Sequence, residues 1–116
     1  MTQYLALTYT PDVDWTAPEQ AAEMQEYLRF GAENRSVISS GAALYPTSTA
    51  TVVRVKGARG GDVVTTDGPY AETKEALTGY YVLEADDLDH AVRIAAQMPA
   101  AWNGAVEIRP LVPAQG

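Results

Sequence analysis

The chain has 116 residues, of which 47% are apolar, and eight basic against 15 acidic residues give it a formal charge of −7. This length suits a single domain over residues 1–116, and a chain this short leaves apolar surface that association commonly buries. The net negative charge is opposite in sign to that of typical nucleic-acid-binding proteins, and a protein with this charge is repelled by anionic membranes. Cysteine is absent, which excludes disulfides, thiolate catalysis and cysteine-ligated zinc or iron–sulfur sites.

The sequence contains no segment with the features of a targeting signal or a membrane span. Met1-Thr2-Gln3 leads into a short apolar run without a basic leader. No apolar stretch approaches the roughly 20 residues that a bilayer requires. We therefore expect a cytoplasmic protein without a membrane partner.

The first third of the sequence predicts a strand followed by a helix. Residues 4–9 are rich in aromatic and apolar side chains and are followed by Pro11, which is typical of a short strand. Thr16 and Glu19, three residues apart, predict a capping box that starts an amphipathic helix ending near Arg35.

The rest of the sequence predicts strands and one further helix. A second strand is expected over 37–44 with a bend or bulge at Gly41, and Asp86 or Asp87 is expected to cap a second helix that Pro99 ends. The remaining predicted strands are 49–56 and 62–66, which form a hairpin around the turn 57–61, then 79–84 in the middle of the sheet, and 106–109.

This order of elements predicts an α+β fold. Two split βαβ units with a hairpin between them indicate a ferredoxin-like antiparallel sheet with two helices on one face. The other face would then be too apolar to remain in water, and we expect a two-fold axis to pack two sheets together into a dimeric α+β barrel. The residues assigned to that face are Tyr4, Tyr9, Tyr80, Tyr81 and Val82.

The most distinctive segment lies between the hairpin and the central strand, at 67–75. Asp67-Gly68-Pro69 has the chemistry of a turn, in which glycine allows unusual dihedral angles and proline fixes the exit. The polar residues that follow could support acid–base chemistry or form solvated ion pairs. Those residues are Tyr70, Glu72, Thr73, Lys74 and Glu75.

The last predicted strand carries a second polar group. Glu107 and Arg109 alternate with apolar residues, so both point to one face. They form either a solvent-facing ion pair or the polar floor of a cleft, where Arg109 would bind a carboxylate or phosphate-like group.

The sequence has a single histidine, His90, which is predicted in the first turn of the second helix. A lone histidine without cysteine does not form a zinc-like cluster, so we expect no tightly bound metal and no cofactor. We interpret His90 as a surface residue of that helix, remote from any site.

The segment from Asp67 to Glu75, followed by Gly79-Tyr80-Tyr81, resembles the signature of the YCII-related family. More narrowly it is similar to the DGPF-type subgroup, with Tyr70 in place of phenylalanine. The resemblance extends to the opening strand and to 87–89, 98–99 and 107–110. It implies a ferredoxin-like fold, a dimeric barrel and a ligand site in the cleft, but no established reaction. Some relatives carry a histidine–aspartate pair proposed as catalytic, and His90 does not match its position.

Three functions remain open from the sequence. The first is a homodimer that binds a small molecule at a polar cleft. The second is an enzyme without metal in which Asp67, Glu72, Glu75 or Tyr80 would transfer protons, and the third is an interaction module that contacts a transcription regulator. The candidate ligand-binding residues are Asp67, Gly68, Pro69, Tyr70, Glu72, Lys74, Glu75, Tyr80, Glu107 and Arg109.

Overall fold

The computed structural model describes residues 2–113. Its elements in chain order are β1 (Thr2–Thr10), α1 (Ala21–Glu33), β2 (Ile38–Ala43), β3 (Thr51–Lys56), β4 (Asp62–Asp67), β5 (Ala76–Ala85), α2 (Leu88–Ala95), α3 (Pro99–Asn103) and β6 (Ala105–Pro110). Two single 3₁₀ turns lie at Pro18–Gln20 and Thr47–Thr49. None of the helices described here has both the length and the apolar character needed to cross a membrane.

The strands form one large and one small sheet. The large sheet has the order β2-β5-β1-β6, and every neighbouring pair in it is antiparallel. This is a mixed α+β arrangement consistent with the predicted ferredoxin-like fold, and β5 is central as expected. The β3–β4 hairpin forms a separate two-stranded sheet, because it is inserted between β2 and β5 without joining either.

Helices cover one side of the large sheet and create the core there. Side chains alternate between the two faces of a strand, so every second residue of β1 from Tyr4 to Thr10 is buried beneath the helices. Leu83 and Ala85 of β5 lie in the same core and are fully buried. The core is completed by Phe30 of α1, by Ala91, Ile94 and Ala95 of α2, and by Met98.

The prediction that Tyr4 and Tyr81 belong to the uncovered face is wrong. Tyr4 is a buried member of the core, and the ring of Tyr81 packs edge-on against Phe30 with centroids 5.2 Å apart. Tyr80 and Tyr81 are consecutive in a strand and therefore cannot share a face. We call the uncovered side the open face. Its apolar residues in β1 and β5 are Leu5, Leu7, Tyr9, Leu77, Tyr80 and Val82, and the polar pair Gln3 and Glu84 lies at one end.

The predicted capping box at Thr16 does not form. The Thr16 hydroxyl and amide both donate to Oδ1 of Asp14, at 2.6 and 2.9 Å. These two hydrogen bonds lower the pKa of Asp14. Because a carboxylate acceptor two residues away engages Thr16, the chain enters α1 through the 3₁₀ turn instead.

The second helix begins as predicted but ends earlier. Asp87 is its N-cap and accepts a hydrogen bond from the His90 amide at 2.8 Å. The helix ends at Ala95, and Pro99 starts α3 rather than ending α2, because proline is favoured in the first turn of a helix.

Gly41 is required by close packing and not by the bulge predicted there. The irregularity in β2 lies between Ile38 and Ser40. A Cβ atom at Gly41 would come within 2.6 Å of the Tyr81 ring and 2.9 Å of the Tyr80 carbonyl oxygen. β2 can lie this close to the Tyr81 ring of β5 only because Gly41 has no side chain.

We predict that Gly41→Ala lowers the free energy of unfolding by roughly 1–3 kcal/mol, the usual cost of overpacking. The matched control is Gly31→Ala in α1, where nothing lies within 4 Å of the added carbon. Alanine is the better helix former by about 1 kcal/mol, so the control should be neutral or stabilising. Urea unfolding of both variants measures the difference, and an equal loss in both would contradict this role of Gly41.

Candidate functional site

A cavity of about 170 Å³ lies between α1 and the helix-covered side of the sheet. Met24, Tyr27 and Leu28 of α1 form its roof, while Gly41 and Gly79 lie in its floor. These glycines come from neighbouring strands, and their missing side chains leave space beneath the helix. The cavity is therefore a product of strand pairing, which explains why no single segment of the sequence indicates it.

Aromatic side chains fix one wall of this cavity. The indole N–H of Trp15 donates to the carbonyl oxygen of Thr78 at 3.2 Å. The Trp15 ring also packs edge-on against Tyr27, with centroids 5.5 Å apart. The loop before α1 thus holds a tryptophan in a fixed position over the cavity, where it provides a flat apolar surface.

The polar atoms of the floor are hydroxyl groups. Thr8, Thr10 and Thr78 are all buried, and the Thr10 hydroxyl donates to Oγ1 of Thr78 at 3.0 Å. Oγ1 of Thr8 lies 3.4 Å from the same atom. The register of β1 and β5 shifts between Thr8 and Tyr9, and this bulge brings the three threonines to one side. Thr8 and Thr78 border the cavity and offer it neutral hydrogen-bonding groups.

Tyr27 is the other polar residue of the roof. Its hydroxyl oxygen is buried and lacks a hydrogen-bond partner among residues 2–113. Burial, with a smaller contribution from the charge of Glu23, raises its pKa well above the usual value, and the nearby Ala100 amide offsets this only in part. Tyr27 therefore stays protonated and neutral, and of the residues that border the cavity none is charged.

The first four candidate residues lie at the base of the β3–β4 hairpin. Asp67 pairs with Thr51 as the last pair of the hairpin, and the Gly68 amide donates to the Ala50 carbonyl at 2.8 Å. Gly68 has a φ of +102°, which favours glycine. The Arg54 guanidinium lies 5.5 Å from the centre of the Tyr70 ring. This part of the motif, with Pro69, closes the hairpin.

The next three candidate residues form the connection into β5. Glu72 and Lys74 are exposed, while the Thr73 hydroxyl donates to the Glu75 carbonyl oxygen. The Glu75 carboxylate is half-buried beside Gly104, where an added Cβ would lie 3.0 Å from its oxygen. Glu75 thus reaches Gly104, the residue that precedes β6.

The last three candidate residues belong to the open face. Nε of Arg109 lies 2.5 Å from Oε2 of Glu107, so these side chains pair with each other. β1 lies between β5 and β6, and Leu7 pairs with Tyr80 on one side and Glu107 on the other. Tyr80 and Glu107 are consequently two strand spacings apart, roughly 10 Å. The structure places the ten residues in three groups. Only Tyr80 among them borders the cavity, and it does so through its main chain, because its side chain alternates to the open face.

Sequence reasoning missed most of the residues that define the cavity. The sequence pattern indicates no function for Met24, Leu28 and Thr78. The available signal was a glycine in each of two predicted strands, at Gly41 and Gly79. That signal becomes informative only once the pairing of β2 with β5 is known.

His90 has a structural role that the sequence interpretation did not assign. Its Nδ1 accepts a hydrogen bond from the Asp86 amide at 3.0 Å, while its own amide donates to Asp87. The two contacts resemble a capping box at the start of α2, with histidine in the position usually held by glutamate or glutamine, but His90 accepts from the amide of Asp86, which precedes the N-cap Asp87. The imidazole is 25% exposed and is absent from the cavity lining.

Comparison with known proteins matches residues 2–115 to the family described as YCII-related domain. A relative from Rhizobium meliloti (strain 1021), the uncharacterized protein R00369, is 33% identical over 104 residues, which covers 84% of this chain and 79% of the relative. The match confirms the resemblance noted in the sequence at the level of the family.

The cap at His90 leads to a quantitative prediction. We expect His90→Ala to lower the free energy of unfolding by about 0.5–1 kcal/mol, because one backbone N–H at the start of α2 loses its acceptor. His90→Gln should retain most of the stability, since glutamine accepts the same kind of hydrogen bond at this position. Chemical denaturation of the two variants measures this. A neutral alanine variant would return His90 to the role of a surface residue.

Proposed function

We propose a function for this chain, which belongs to the YCII-related family, from its own geometry, because the matched relative is uncharacterized. The protein is a homodimer that binds a small, neutral, apolar molecule. The observation that carries this proposal is the cavity beneath α1. The turn Asp67-Gly68-Pro69-Tyr70 supports placing the chain in the DGPF-type subgroup of the family.

The size of the cavity supports a ligand with a single ring. An enclosed apolar cavity of about 150 Å³ in another protein binds benzene. This cavity has a similar volume of about 170 Å³ but is open to solvent beside Leu28, which is 61% exposed. Trp15 and Tyr27 offer ring surfaces, and Thr8 and Thr78 offer hydroxyls that would orient one polar atom of the ligand. A charged ligand is disfavoured, because its charge would meet no opposite charge in the lining.

The cavity supports binding better than it supports proton transfer. Its titratable groups are tyrosines, and burial raises the pKa of both Tyr27 and Tyr81. A general acid or base works best with a pKa near the operating pH. The polar residues at 67–75 and in β6 do not border the cavity, so they would not contact the proposed ligand.

The dimer in this proposal is supported by the open face. Leu5, Leu7, Tyr9, Tyr80 and Val82 lie on the side of the sheet opposite the helices. Packing this face against the same face of a second copy, with the sheets about 10 Å apart, would remove the apolar side chains from water. The Glu107–Arg109 pair would then lie at the edge of the contact between the two copies, in the dimeric α+β barrel expected from the sequence.

We predict that neutral single-ring compounds bind in the cavity. The probes are phenol, indole and toluene, with benzoate and benzylamine as charged comparators. Trp102 is exposed and does not border the cavity, so Trp102→Phe leaves Trp15 as the fluorescent reporter. Neutral probes should change Trp15 emission saturably, whereas the charged ones should not.

A filled cavity provides the control for this experiment. Ala43→Leu adds volume at the border of the cavity and should abolish binding, while Ala32→Leu, on the exposed surface of α1, should leave it intact. Equal binding of neutral and charged probes, or unchanged binding in Ala43→Leu, would contradict the proposed site.

We predict that light scattering at micromolar concentration gives twice the chain mass of 12.5 kDa. Leu7→Lys places a charge in the middle of the open face and should shift the protein towards the monomer. Ala101→Lys, on the exposed surface of α3, should leave the mass unchanged. A monomeric wild type, or a Leu7→Lys variant that remains dimeric, would exclude the open face as the contact.

A further inference from the structure

Two threonine hydroxyls in the floor of the cavity carry protons that the protein itself uses poorly. Oγ1 of Thr8 lies 3.4 Å from Oγ1 of Thr78, and the Thr78 hydroxyl donates to the main-chain oxygen of Thr8 over the same distance of 3.4 Å. Hydrogen bonds between two oxygens are usually about 2.5–3.0 Å long. Within residues 2–113 the Thr8 hydroxyl has no closer partner, so both protons remain available to a bound molecule.

The acceptors beside these hydroxyls are already engaged. Oγ1 of Thr78 accepts a hydrogen bond from the Thr10 hydroxyl at 3.0 Å. The main-chain oxygen of Thr78 accepts two N–H groups, from the Leu44 amide at 2.9 Å and from the Trp15 indole at 3.2 Å. A ligand that donates a hydrogen bond would therefore meet occupied acceptors, whereas a ligand that accepts one would meet two protons.

Burial makes a good acceptor valuable at this position. Thr8 and Thr78 are each only 3% exposed, and both border the cavity. A buried donor without a well-placed partner is unfavourable, because it has lost its hydrogen bonds to water. A ligand oxygen that accepts from both hydroxyls would remove that disadvantage.

Gly79 leaves room for such an oxygen beside Thr8. A Cβ atom added at Gly79, which borders the cavity, would lie 3.2 Å from Oγ1 of Thr8. The ligand oxygen would lie on the Thr8 side of this point, because the Ala42 carbonyl oxygen is 2.9 Å from it. The two threonine hydroxyl oxygens are 3.4 Å apart, so one atom can lie about 2.8 Å from both.

We propose that the ligand of this cavity is a neutral single-ring carbonyl compound, such as an aryl ketone, aldehyde or ester, whose oxygen accepts hydrogen bonds from Thr8 and Thr78. The inference rests on the proposed function and deepens it, because it names the polar group that the ring compound carries. A carbonyl oxygen has two lone pairs and no proton, which matches two donors. The ring of the ligand would then lie against Trp15 and Tyr27.

The first test uses two ligands of nearly the same shape. Acetophenone and α-methylstyrene differ only in a C=O group that replaces C=CH₂, so α-methylstyrene has no oxygen to accept a hydrogen bond. NMR titration of the Trp15 indole N–H, in the Trp102→Phe background, gives both dissociation constants. Water hydrates the two free ligands differently, so the measured quantity is the ratio of the two constants, compared between protein variants.

Thr8→Val replaces the hydroxyl by a methyl group of similar size. We expect this variant to bind acetophenone about threefold to tenfold more weakly, the scale of one hydrogen bond, and to bind α-methylstyrene at least as well as the wild type. Thr8→Ser keeps the hydroxyl and should keep the wild-type ratio. Thr65→Val makes the same replacement on the exposed surface of the β3–β4 hairpin and should also keep it.

The second test detects the hydrogen bond in the wild-type protein, so it does not depend on the folding of a variant. Infrared difference spectra of acetophenone with carbon-13 in its carbonyl group report the C=O stretching frequency, which hydrogen bonding lowers. We expect the bound ligand to absorb at a lower frequency than acetophenone dissolved in cyclohexane. In Thr8→Val the frequency should move back towards the cyclohexane value.

The outcomes separate this inference from the proposed site. A lowered stretching frequency, together with a ratio that changes in Thr8→Val alone, supports the carbonyl ligand. Binding of both compounds with the same ratio in wild type and Thr8→Val, or a stretching frequency equal to that in cyclohexane, would overturn it and leave a site for apolar rings. If neither compound binds, the carbonyl inference and the cavity site are both wrong.

Discussion

A four-stranded sheet has two faces, and this chain provides helices for only one of them. Side-chain alternation divides β1 between a buried row that includes Tyr4 and Ala6 and an open row that includes Leu5 and Leu7. The covered side then contains the core and the cavity, while the other side presents apolar residues without a layer over them. The β3–β4 hairpin also presents exposed valines. We propose that a second copy of the chain covers the open face.

The distinctive motif of the chain acquires a physical meaning from this arrangement. Asp67, Gly68 and Tyr70 complete the hairpin, turn the chain with a positive φ and hold Arg54 over a ring. The chemistry of these three residues is thus directed at the base of the β3–β4 hairpin, whereas the later part of the signature, Gly79-Tyr80-Tyr81, borders the cavity.

Local patterns predicted much of the fold. Turn residues and alternation located the strands, and they correctly placed Glu107 and Arg109 on one side of β6. Long-range contacts decided the rest. The choice of Tyr81 over Tyr80 for the core depends on Phe30 in α1, and Thr16 fails as a cap because Asp14 engages it. The cavity depends on the register between β2 and β5, which no single segment contains.

The assembly is tested most directly by amide hydrogen exchange as a function of protein concentration. If a second copy covers the open face, amides of β1 and β5 should exchange more slowly above the dissociation constant of the dimer than below it. Amides of α2, which faces away from the contact, should exchange at the same rate throughout. Exchange in β1 and β5 that is independent of concentration, in a protein whose mass doubles, would contradict the arrangement.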